Sequence, residues 1–172
     1  MNKKDFSKQC LAQALFDLLE NKRFDEISIQ DIVDKAGFSR MAYYRNFNNP
    51  TEIIDFYVAS FFDKFISESH LSYKIMGAKV FFITLFEFLN TSDTKKIVSC
   101  LFKSKMLSHF FNEMVRRSEG GFVANQNEYF YSFVAGGIIG AYLRWIKNNY
   151  KESPEEMADI AVNIIKVLKE NR

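Results

Sequence analysis

The chain has little of what breaks or staples a fold. Two prolines and seven glycines occur in 172 residues, which disfavours a turn-rich all-β architecture and favours long helices. Its two cysteines, Cys10 and Cys100, have no cysteine neighbour. No CxxC pair or disulfide framework can be drawn from them, and a reducing, cytoplasmic setting is expected. The longest apolar run, FYSFVAGGIIGAYL at 130–143, has fourteen residues including a serine, short of the roughly 20 needed to span a bilayer. The opening MNKKDFSKQC is charged and lacks a signal-peptide core. These absences point to a soluble protein with no membrane partner.

Charge of one sign is missing too. The net charge is +2, and residues 1–50 carry eight Lys/Arg against seven Asp/Glu. Any nucleic-acid role must therefore rest on where charges sit, not on their number. Catalytic signatures are lacking: there is no Ser–His–Asp order, Gly-rich phosphate loop or carboxylate pair. His109 and Glu113 stand one helical turn apart without a second paired ligand nearby, so a metal site is not expected. The expectation is a non-enzyme that holds no cofactor or metal.

What the chain does have is apolar mass. Hydrophobic residues make up 48%, with 19 phenylalanines, enough for a core without staples. Three- and four-residue spacing of Phe6, Leu11, Ala14, Leu15, Leu18 and Leu19 predicts a first helix over 5–21. Ser28 with Asp31 forms a capping signature for a second, short helix ended by Gly37. Ser39 can cap a third, reaching about Phe47. Asn49-Pro50-Thr51-Glu52 starts a fourth, and Ser153-Pro154-Glu155-Glu156 starts the last. Between them, 80–89, 92 onward, a segment to about Arg117, and 125–149 read as helices. The fold class is all-α, with nine helices and a small N-terminal unit joined to a larger bundle.

A support helix, a short helix, a glycine turn and a second short helix have the sizes of a helix-turn-helix. In such a unit the second short helix enters the DNA major groove. At 100° per residue, Tyr44 and Phe47 are placed on one side of that helix and Arg40 with Tyr43 on another. This reading makes Phe47 the anchor, Arg40 and Tyr43 the outward pair, and Tyr44 a boundary residue.

The stretch ISIQDIVDKAGFSRMAYYRNFNNPTEII, 27–54, resembles the N-terminal module of the tetracycline-repressor (TetR) family. Ser28, Ala36, Gly37, Phe38, Ser39, Tyr44, Phe47 and Ile53 fill that family's pattern. The resemblance implies a nine-helix TetR-like fold, with a DNA-binding domain at 1–50 and a ligand-binding and dimerisation domain at 51–172. It implies DNA contacts by Ser28, Gln30, Ser39, Arg40, Met41, Ala42, Tyr43, Tyr44 and Asn46. Pro50 stands where the family commonly has a phosphate-contacting lysine, and Asn46 where it has histidine or tyrosine. AYLRWIKNNYKESPEEMADI, 141–160, is similar to a subgroup that includes regulators of dihydroxyacetone kinase operons.

The same resemblance implies partners: a palindromic double-stranded DNA operator, a second copy of the chain, and a small apolar effector. For the dimer face it points to the last two helices, with Phe133, Gly137, Ala141, Trp145, Ile160 and Ile164; the GxxxG at Gly136 and Gly140 would equally suit internal packing. For an effector it points to Tyr57, Phe61, Phe82, Phe86, His109 and Tyr131, with Tyr73 as a further polar handle, against the alternative that these aromatics simply fill a core. The function implied is a homodimeric DNA-binding repressor under ligand or partner control. A helical adaptor or co-regulator with weak or no DNA binding is the alternative.

Overall fold

The computed structural model describes residues 3–70, 76–118 and 128–170. Among the described residues there are nine α-helices and no strand. They are α1 (Lys3–Leu19), α2 (Ile29–Ala36), α3 (Arg40–Tyr44), α4 (Pro50–Ser69), α5 (Ala78–Asn90), α6 (Ser92–Lys103), α7 (Leu107–Ser118), α8 (Glu128–Lys147) and α9 (Pro154–Glu170). The all-α expectation is met. No described helix is long and apolar enough to cross a membrane. Of the helix expected over 125–149, residues 125–127 lie outside the described residues, as does Tyr73.

The chain divides into two compact units, 1–63 with 96–113, and 64–95 with 114–172. In the first, α1 buries Leu11, Ala12, Leu15, Phe16 and Leu19. Against this stripe α2 brings Ile32 and Val33, and α4 adds Ile53, Ile54 and Val58 to the same unit's core. Phe6, expected on the buried stripe, is instead 51% exposed, because the buried apolar face begins only at Leu11. The Phe16 and Tyr57 rings stack at 3.8 Å, and Phe110 of α7 meets Phe62 of α4 at 5.0 Å.

The second unit is built on α5 packed against α9. Phe82, Phe86 and Leu89 of α5 are fully enclosed, and the Phe65 and Phe88 rings stack at 3.8 Å. Trp145 and Tyr142 of α8 are also sealed. Each needs a partner for its polar atom: the Trp145 indole donates to the Glu152 carbonyl at 2.9 Å, and the Tyr142 hydroxyl to the Leu89 carbonyl at 3.1 Å. Past α8, Asn149 and Tyr150 both take φ of 55°, the left-handed region. That conformation costs L-residues roughly 1–2 kcal/mol each. It is offset by the Tyr150 amide bonding the Trp145 carbonyl, by the Tyr150 ring against Trp145, and by the Lys95 ammonium 4.0 Å above that ring.

The start of α9 follows from four residues. The Ser153 amide donates to the Glu156 carboxylate at 2.7 Å and the Glu156 amide to the Ser153 hydroxyl at 3.2 Å, with Pro154 at the first helical position.

Candidate nucleic-acid interface and self-association face

Two short helices, α2 and α3, are too brief to persist alone; their ends are fixed by side chains. Ser28 has extended backbone angles and a doubly used hydroxyl. It accepts the Asp31 amide at 3.1 Å and donates to the Asp31 carboxylate at 2.5 Å, while the Ser28 amide donates to that carboxylate at 2.8 Å. Lys22 completes the site at 3.0 Å. These bonds, the Ser28 hydroxyl first, hold the Asp31 carboxyl well below the usual carboxylate range. The helix ends at Gly37, whose φ of 72° is open to glycine at no steric cost. Two residues later Ser39 repeats the device, accepting the Ala42 amide at 3.2 Å.

Ser28 and Ser39 thus mark two helix N-termini, one at each end of the segment made of α2 and its glycine turn. The first amides of each helix have no carbonyl a turn before them to bond, and they carry the partial positive charge of a helix start. Gln30 is exposed and donates to Asp34 at 2.6 Å. Along α3, Arg40 is exposed, Met41 is 65% exposed and Tyr44 is 60% exposed, while Ala42 is half-buried.

Two expected contacts must be corrected. Tyr43 does not face outward: it is fully buried, its ring edge-on to Tyr44 at 5.2 Å and 6.3 Å from Phe47. Residues four apart on a helix lie about 40° apart, closer than residues three apart. Just past the end of α3 the Phe47 amide still returns to the Tyr43 carbonyl at 2.9 Å, so Tyr43 shares the anchoring face with Phe47, and Tyr44 swings out. Burial pushes the Tyr43 hydroxyl up to about 12, and its oxygen has no hydrogen-bond partner among the described residues. Asn46 is the second correction. Its amide nitrogen donates to the Ser7 hydroxyl at 3.0 Å and to the Ala42 carbonyl at 2.8 Å. Both N–H groups are thus engaged within the fold, and Asn46 has no donor left for a phosphate.

Sequence reasoning misses the residues that hold this unit together across long separations. Ser7 has no local signature, since its partner Asn46 is 39 positions away. Lys8, in the charged opening stretch, sits 5.5 Å from the Phe47 centroid and 5.4 Å from that of Phe56. Glu52 is more than a helix-start acid. It also accepts the Asn48 amide at 2.9 Å and the Asn48 side chain, bonds that draw its carboxyl below its ordinary value.

In the second unit, α8 and α9 leave an apolar groove of about 490 Å³ open to solvent. Phe133, Gly137, Ala141, Ile160 and Ile164 all line it. Phe133 is 66% exposed and Ile164 54%. Among the described residues, a Cβ built on Gly136, Gly137 or Gly140 would meet nothing within 4 Å, so these glycines serve no close approach to any of them. Trp145 does not belong to the exposed face. It is buried, bonded to the Glu152 carbonyl and edge-on to Phe86 at 5.7 Å. The large ring is consumed by the chain's own core.

The residues expected around an effector have separate surroundings. Tyr57 stacks on Phe16, Phe61 lies beside Phe62, and His109 faces Asp55 with its Nδ1 2.6 Å from the carboxylate. Phe82 is sealed, and Phe86 backs the α8–α9 groove. The side chain of Tyr131 lies outside the described residues. Of the five whose side chains are described, the groove takes in Phe86. Among the described residues no group of His, Cys, Asp and Glu is arranged to hold a metal ion.

A family model described as a transcriptional regulator C-terminal region, of the TetR type, matches residues 79–167. No curated protein sequence matches the chain. The matched segment runs from α5 almost to the end of α9 and takes in the groove-forming helices and the buried Trp145, more than half of the chain. On that match and the nine helices among the described residues, the chain belongs to the TetR family of transcriptional regulators.

Proposed function

We propose that the chain is a homodimeric, DNA-binding repressor that reads a palindromic operator with α3. The observation that carries this reading is the division of α3 into two faces. Tyr43 and Phe47 are buried, while Arg40, Met41 and Tyr44 stand out from a five-residue helix capped by Ser39. Arg40 can bond a guanine O6/N7 edge bidentately, and Tyr44 can point its hydroxyl at a phosphate. Ser28 and Ser39 start helices whose free amides suit phosphate oxygens.

The α8–α9 face supplies the dimer in this reading. Phe133, Gly137, Ala141, Ile160 and Ile164 form a contiguous apolar surface, and an isologous contact would cover the same patch on both copies. A two-fold dimer then requires half-sites about 34–36 Å, or a multiple, apart. Control by a small apolar effector or a partner acting on residues 51–172, through a shift of residues 50–70, completes the proposal. The kinship to the dihydroxyacetone-kinase-regulator subgroup rests on Trp145 with Ser153-Pro154-Glu155-Glu156. As a soluble regulator of transcription the protein would act in the cytoplasm.

A second reading, an adaptor with little DNA affinity, is favoured by two observations. Position 50 is proline and carries no ammonium, and Asn46 turns both its donors inward. Selection of bound sequences from a random DNA pool separates the two. The repressor reading expects an enriched palindrome whose affinity falls steeply with salt. Arg40→Ala should relax preference at one base pair, by about 1–3 kcal/mol, whereas Tyr44→Phe should weaken binding to all sequences alike. No enrichment even at low salt would leave the adaptor.

A further inference from the structure

On α4, two consecutive residues face different partners. Phe56 packs on Phe47, the residue that anchors the end of α3, with ring centroids 5.8 Å apart, and Lys8 lies over both rings. Asp55, its neighbour, meets the Nδ1 of His109 on α7 at 2.6 Å. The residue after His109, Phe110, is fully buried against Phe62 at 5.0 Å. Asp55 and Phe62 are seven residues apart, two helical turns on one face, about 10 Å along the axis. Two successive side chains of α7 therefore grip α4 at two points of different character. The Phe110–Phe62 contact is apolar and enclosed. The Asp55–His109 contact is partly open, with side chains 60% and 21% exposed.

We propose that Asp55 and His109 are positioning residues for DNA recognition: their contact fixes the first turns of α4 and, through Phe56 on Phe47, the orientation of α3. This rests on the reading of α3 as the recognition helix. The physical reason lies in what each contact leaves free. Phe62 and Phe110 join α4 to α7 at one point, about which the two helices can still turn against each other. The polar pair two turns away removes that freedom. Its displacement at Asp55 is carried to the adjacent Phe56 and so to the Phe47 anchor. A five-residue α3 has no length of its own to resist such a shift.

The test is a mutant cycle in the full chain: Asp55→Ala, His109→Leu and the double variant. Three quantities are measured: affinity for the selected operator, affinity for a scrambled duplex at the same salt, and amide exchange over residues 43–56. Each single variant should lower operator affinity about three- to tenfold, the size of contacts coupled in one network. Scrambled-duplex affinity should stay within about twofold, since no phosphate contact is removed. The double variant should lose no more than the worse single, and exchange over 43–56 should quicken in all three. Additive losses in the double, or an unchanged operator-to-scrambled ratio in both singles, would overturn the inference. If the wild type selects no DNA, exchange decides alone: quickening at 43–56 supports the positioning role while the DNA reading fails, and unchanged exchange ends both. Should His109→Leu not fold, Asp55→Ala, at an exposed position, is measured by the same ratio and the same exchange, with the same outcomes for and against.

Discussion

Helix α3 and the α8–α9 face both leave large side chains in water, but they leave different kinds. On α3 the exposed set is Arg40, Met41 and Tyr44: a guanidinium, a thioether and a phenol within five residues. Along the α8–α9 groove it includes Phe133, Ile160 and Ile164. The first surface can offer donors and a cation to a hydrated, anionic partner. The second has almost nothing polar to offer, and what satisfies it is more apolar surface. Exposure alone does not separate an operator-reading face from a self-association face; the chemistry of the exposed tips does.

The largest effect that could break this contrast is a charge on the apolar face. Ile164→Asp places a carboxylate where a second copy would bury it, at a cost of several kcal/mol. Sizing at micromolar concentration should show the wild type as a dimer and the variant as a monomer. A variant that still dimerises would remove α9 from the interface.

Next in size is Trp145→Ala. Because the indole lies inside the unit and bonds the Glu152 carbonyl, the variant should lose about 3–5 kcal/mol in chemical denaturation. A loss below about 1 kcal/mol, of the size typical for surface substitutions, would return Trp145 to the exposed face.

The capped helices of the first unit give a smaller, pH-dependent effect. Ser28→Ala should cost about 1 kcal/mol at neutral pH. Asp31 has its carboxyl depressed in the fold, chiefly by the Ser28 hydroxyl, from an ordinary value of 3.8. Its contribution is therefore present above that value and is lost as pH falls toward the depressed one. The stability gap between wild type and Ser28→Ala should narrow below about pH 4, measured by thermal melts across pH. A gap that widens in acid would mean that Asp31 is not the partner that matters.

Smallest is Tyr43→Phe. It removes a buried hydroxyl that has no partner among the described residues, a change expected to be neutral or slightly stabilising, by no more than about 1 kcal/mol. DNA affinity should not move. A loss of operator binding would restore Tyr43 to the outward face of α3.

Much of the fold is legible in the sequence because its signals are local. Helix starts at Ser28, Ser39, Asn49 and Ser153 are written within three residues of each cap, and Gly37 marks its own turn by a conformation few other residues adopt. The errors fall where a local rule admits two answers. Tyr43 and Tyr44 are adjacent tyrosines, about 40° and 60° from Phe47 on an ideal helix, so a three-residue spacing and a four-residue spacing both offer Phe47 a neighbour, and the closer one, Tyr43, is the one that packs. Trp145 does belong to an apolar helix, but a helix apolar on several sides does not say which side its own chain covers.

The sequence by itself determined that the chain is helical, where the helices capped by Ser28, Ser39, Asn49 and Ser153 begin, and that a glycine turn joins two short helices, because propensity, capping and turn chemistry act over a few residues. Only the tertiary structure decided which tyrosine of α3 is buried, that Asn46 turns inward to Ser7, that Trp145 is core, and that Asp55 finds His109. Those outcomes depend on side chains 7 to 54 positions apart in the chain, and packing alone brings them within reach.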